Sequence, residues 1–194
     1  MECMSYSLRC AMIVDLLKKM RAQGSWCGET HIQKAMYISQ DLAKVNFGYK
    51  FVMYKHGPFS FDLKDELSAM RASGIIEFAF THKGYGPSIR VTTFGERIYT
   101  VNRENIENCN LVNDFVATWL ASSDVRSLER IATAYYVTKK NPRDPVIERA
   151  KKLNSLKPHV DLVAAEEAIK IIEQKREQAK REIPLRCELH AEVL

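Results

Sequence analysis

Glycine and proline divide this chain more firmly than any other feature. Gly24 closes a first periodic segment, Gly57-Pro58 interrupts a β-rich run, and Gly74 stands where a third helix should stop. Gly84, Gly86 and Pro87 mark a hairpin, "NPRDP" (141–145) is a firm break, and Pro158 ends a short segment. The pieces between these breaks have mostly helical period.

Residues 5–23 read as a helix with Leu8, Ala11, Met12, Leu16 and Met20 on one face. "ETHIQKAMYISQDLAK" reads as a second, with Thr30 as N-cap and Ile32, Ala35, Met36, Leu42 and Ala43 inward. Gln33, Lys34, Gln40, Asp41 and Lys44 are then expected to face outward or sideways. Residues 49–56 have strand composition, after which Gly57-Pro58 is expected to turn the chain. A third helix follows over Phe59–Ser73, capped by Ser60 or Asp62, with Leu63, Leu67 and Met70 inward and Asp62, Asp65 and Glu66 outward. "IIEFAFTH" and "SIRVTT" form the two arms of a hairpin, and "FGERIYTVN" a closing helix. Three helices followed by a β-hairpin wing give the expectation of an α+β, mostly helical chain, with a winged-helix-like N-terminal domain over 1–104. A helical extension over 105–183 should pack on it, and 184–194 should be a flexible tail. The extension holds helices near 105–122 and 124–140, a short one before Pro158, and a long last helix over 161–183. That last helix carries Leu162, Ala165, Ile169 and Ile172 on a seam, and its charged end reads as a solvated helix or, as the sharper alternative, as a homodimer or partner-binding arm.

Composition excludes some classes of protein. No apolar run approaches the ~20 residues of a membrane helix, and the first residues make a poor secretory signal, so a cytoplasmic protein without membrane contact is expected. The five cysteines are odd in number and scattered, which suits free thiols rather than a disulfide framework. Cys187 and His190 are the one close Cys/His pair, half a zinc site at most. No metal or cofactor is expected. A net charge of +5 permits contact with nucleic acid without arguing for it.

No catalytic signature stands out. The chain lacks a G-x-S-x-G, an H-E-x-x-H and a glycine-rich phosphate loop, so an enzyme is not expected. His56 has no orienting partner at a recognisable spacing, and Tyr54, His56, Gly57 and Pro58 read as a turn that positions the third helix. Gln33, Tyr37 and Gln40 share a helical stripe. It reads either as a solvated face with a half-buried tyrosine or as a polar network with the Lys-His-Gly-Pro turn, and both place Tyr37 in a cluster with Tyr54. DNA contact, if any, falls to the wing residues Lys83, Tyr85 and Arg90, because an acidic third helix is repelled by phosphates.

"HIQKAMYISQ" resembles the L-Q-K-x-x-Y-x-x-Q signature of small bacterial and phage-associated proteins. "YKHGPFSFDLKDELSAMRASGII" resembles their aromatic, then Tyr/His-Gly-Pro, then helix pattern. These are the YwgA-like proteins and, more distantly, the SocA-like Panacea-domain antitoxins. "LERIATAYYVTKK" and "LNSLKP" resemble the helical tail of the YwgA-like group, so the likeness covers about 30–160. Gln33, Lys34, Tyr37, Gln40, Tyr54, Gly57 and Pro58 fit it as a set. The resemblance implies a winged-helix-like scaffold used to bind a protein partner, a toxin or a phage-defence component. The runner-up expectation is a DNA-binding transcriptional regulator.

Overall fold

The computed structural model describes residues 3–80 and 86–183. Among these, eight α-helices and two small antiparallel hairpins make a mostly helical α+β fold. Helix α1 spans Tyr6–Ala22, capped by the Ser5 hydroxyl, and α2 spans Glu29–Ala43. Hairpin β1 (Val52–Tyr54) and β2 (Gly57–Phe59) precedes α3 (Phe61–Ala72). Hairpin β3 (Ile76–Ala79) and β4 (Ser88–Val91) precedes α4 (Thr93–Asn102). A 3-10 turn then leads into α5 (Glu107–Leu120), α6 (Val125–Lys140), α7 (Val146–Leu156) and α8 (Leu162–Glu182).

Local chemistry sets the element ends. Ser60 accepts from the Leu63 amide and caps α3, while Gly74 follows the same helix at φ +72°, a conformation that glycine adopts without strain. Asp124 caps α6 and Asp161 caps α8. Thr30 does not cap α2: Gly28 holds that position and lends no side chain.

The buried apolar residues form one cluster that takes in both halves of the chain, from Leu8 and Met36 to Val116, Tyr135 and Ile172. Helix α2 lies at its centre, against α5, α6 and β2, and so has little outward face. The expected outward placement of Gln33 and Lys34 is therefore wrong: they are 0% and 1% exposed. Glu66 also turns inward, where Arg9 Nε donates to its Oε2 at 2.9 Å and Tyr49 Oη to its Oε1 at 2.8 Å.

Two further expectations need correction. Gly57-Pro58 does not terminate a strand. It lies inside β2, with Tyr54 paired to Gly57 and Val52 to Phe59, and the turn falls at Lys55-His56. The charged end of α8 lies on the fold. Arg176 sits 5.4 Å from the Tyr135 ring, Lys175 sits 5.7 Å from that of Phe115, and Ala179 is buried. Long cationic stems covering aromatic faces explain why so charged a segment packs. Among the described residues no helix is long and apolar enough to cross a membrane.

Candidate functional site

The residues singled out in the sequence meet at the β1–β2 hairpin, which rests on α2, α6 and the end of α7. Gln33 holds the hairpin's exit strand from below. Its Nε2 donates to the Ser60 carbonyl and its Oε1 accepts from the Ser60 amide, both at 2.9 Å. That pairing satisfies a buried amide on both sides. Next to it, Lys34 Nζ donates to the Pro58 carbonyl at 2.9 Å. Pro58 cannot donate a backbone hydrogen bond, but its carbonyl still needs a donor, and Lys34 supplies one.

Gly57 makes the approach of hairpin and helices possible. It adopts φ +89°, and a Cβ there would lie 3.2 Å from Thr133 Oγ1 and 3.6 Å from Lys34 Cε. Both the backbone conformation and the available space favour glycine.

A charged cluster that sequence reasoning missed lies under the turn. Glu129, on α6, is buried and pairs through Oε1 with Lys157 Nζ at 2.6 Å. Lys157, at the end of α7, also donates to the Lys55 carbonyl. His56 Nδ1 lies 3.5 Å from Glu129 Oε2, and His159 Nε2 lies 3.9 Å from Oε1. Burial alone would raise the Glu129 pKa, but the hydrogen bond and charge of Lys157, helped by His56 and His159, hold it below the usual carboxylate value. Burial, with Lys157 nearby, pushes Lys34 down to about 8, against the opposing pull of Glu129 and Glu29. The cluster therefore gathers two lysines and two imidazoles around one carboxylate.

The outer surface of the hairpin is aromatic. Tyr54 stacks against Phe59 and Phe61 at 5.7 and 5.8 Å between ring centroids, and Phe59 meets Phe61 at 5.1 Å. Tyr54 is 57% and Phe61 52% exposed, and Val52 beside them is also exposed. Between this patch and the charged cluster lies a pocket of about 210 Å³, walled by Gln33, Lys34, Tyr54, His56 and Phe59.

The remaining expected residues lie elsewhere. Tyr37 is buried against Phe51, Tyr135 and Tyr136, so it does not join Tyr54. Gln40 Nε2 donates to the Tyr49 carbonyl at 3.0 Å and secures the segment before the hairpin. Arg90 is half-buried on β4, whereas Lys83 and Tyr85 lie outside the described residues. A concavity of about 680 Å³ is also distant, between the start of α2 and the α5–α6 junction, lined by Trp26, His31, Phe78 and Asp124. It gathers none of the motif residues. Its most buried polar group, His31, has its pKa lowered by burial, which suits a neutral ring within the fold.

No family model matches the chain, and none of the curated proteins compared with it matches either. Among the described residues no group of three His, Cys, Asp or Glu side chains is placed to hold a metal.

Proposed function

We propose that this chain is a non-enzymatic protein-binding module that docks its partner through the β1–β2 hairpin. The observation that carries this reading is the patch of exposed Val52, Tyr54 and Phe61 around the half-buried Phe59. Contiguous exposed aromatic surface is uncommon on a soluble fold and marks interaction sites, and aromatic anchors on a fixed support dominate binding energy. Support comes from beneath: Gln33, Lys34 and Lys157 each hydrogen-bond to hairpin backbone or to its exit strand, so little order remains to be gained on binding. The resemblance to YwgA-like and Panacea-domain proteins fits this role and suggests an antitoxin-like or phage-defence accessory protein, with a toxin or defence component as partner.

A winged-helix DNA regulator is the second reading. It draws on the helix-then-hairpin order and on Arg90, and it is opposed by Asp62 and Asp65, exposed on α3 beside Lys64 and Arg71.

The test is an affinity capture from the native host, with and without phage infection, run beside a low-salt DNA gel shift. The docking reading expects a stoichiometric protein partner that the Tyr54→Ser/Phe61→Ser chain fails to retain, a loss of about 2 kcal/mol or more. A salt-sensitive DNA shift that survives those substitutions, with no retained protein, would replace it with the regulator.

A further inference from the structure

We infer that the pocket beneath the aromatic patch is a carboxylate site, filled by an Asp or Glu side chain of the docking partner. This inference rests on the docking reading above and names the chemistry of the partner.

The first argument is a charge without an answer. Lys34 is almost wholly buried, and its Nζ makes one hydrogen bond, to the Pro58 carbonyl. An ammonium group has three donors. Lys34 forms no ion pair among the described residues. Glu129 is committed to Lys157, and Glu29, the one carboxylate on the pocket wall, does not pair with Lys34. Buried cations are ordinarily paired, so an external carboxylate would supply the missing counter-charge.

The second argument is position. Lys34, His56 and Gln33 all line the pocket. His56 is exposed and sits at the rim. An entering carboxylate would meet the Lys34 ammonium within and the His56 imidazole at the mouth. Tyr54 and Phe59 form the same rim, so the acid would arrive beside an apolar or aromatic residue lying on the patch.

The third argument is size. Drug-sized ligands occupy sites of roughly 300 Å³ or more, and the pocket's 210 Å³ falls below that. One side chain suits it. A phosphate group suits it less: it asks for several donors or an arginine fork.

The experiment selects a displayed library of random dodecapeptides on the full chain and resynthesises the winners in capped Glu and Gln versions. Fluorescence anisotropy then reads their affinity for the wild type, Lys34→Met and His56→Gln. The expected winners pair an aromatic or aliphatic residue with a nearby acid. The change from Glu to Gln should cost about tenfold or more on the wild type and nothing on Lys34→Met. His56→Gln, at an exposed position, should weaken the acidic peptides severalfold and leave the Gln versions unchanged, which keeps the test decisive should Lys34→Met fold poorly. Peptides that need Tyr54 and Phe61 but ignore their own acid would overturn the carboxylate site and leave the docking reading standing. Winners that bind Tyr54→Ser/Phe61→Ser equally well, or no winners, would overturn both. Displacement of the peptide by inorganic phosphate but not by acetate would assign the pocket to a phosphorylated ligand instead.

Discussion

Two ion networks in this molecule make an instructive pair. In one, Arg9 meets Glu66 with both carboxylate oxygens engaged and Tyr49 completing the shell. One positive charge faces one negative charge, and the network ties α1 to α3. In the other, Glu129 pairs with Lys157 and has His56 and His159 beside it, while Lys34 feels Glu129 and Glu29 but forms no ion pair of its own among the described residues. The first is balanced and explains itself as structure. The second leaves a buried ammonium, Lys34, without a direct ion pair among the described residues, beneath an exposed aromatic patch. Balance marks a group that serves stability, whereas an uncompensated buried charge marks a place where an outside partner can complete the set.

Breaking the unbalanced network should have the largest effect. Glu129→Ala leaves the buried Lys157 without its carboxylate partner, and urea unfolding should show a loss of about 3–5 kcal/mol. Glu66→Ala should cost less, about 2 kcal/mol, because Arg9 is partly exposed and can turn to water. If the two losses were equal, the distinction between the networks would fail. Gly57→Ala should cost about 1–3 kcal/mol in the same assay, from the strained φ alone, with the close Thr133 adding to it.

Lys34→Met sharpens the comparison through sign rather than size. An unfolded lysine keeps its proton to the ordinary value of 10.5, whereas the buried one releases it near 8. Between those values the unfolded chain binds more protons, so wild-type stability should gain from Lys34 as pH rises from 8 to 10.5, by at most about 1.4 kcal/mol per unit. Chemical denaturation across that window should show the gain in the wild type and not in Lys34→Met, which at neutral pH should lose only about 1 kcal/mol, for the Pro58 carbonyl left without its donor. Marked destabilisation there would make Lys34 a structural residue. Smallest of all, Tyr54→Ser/Phe61→Ser should move the unfolding free energy by under about 0.5 kcal/mol, since those rings face solvent.

The sequence made the helices and the second hairpin legible, because glycine, proline and capping residues act over a few positions. Asp124 and Gly74 announce their roles locally. The placement of Gln33 and Lys34 was misread because helical period sorts residues by one buried face, and α2 is covered on several sides. The β1–β2 hairpin was hidden by Gly57-Pro58, which signals a turn in most settings but here enters a strand whose proline needs no amide partner. Glu129 and Lys157 left only faint signals: a carboxylate beside the apolar Leu128, and a lysine just before Pro158. Nothing local ties either one to Lys34, since their meeting depends on helices brought together by the core.

That dependence on distant segments has a temporal consequence. Lys55 is held by Lys157, 102 positions further along the chain. A nascent chain that has exposed residues 50–61 displays the aromatic hairpin sequence but not its support. The hairpin's support is completed only after α6 and α7 have been synthesised and have closed beneath it, because pairings of long sequence separation form late. Under the docking proposal above, a partner that reads both the patch and the pocket would engage finished molecules and pass over half-made ones.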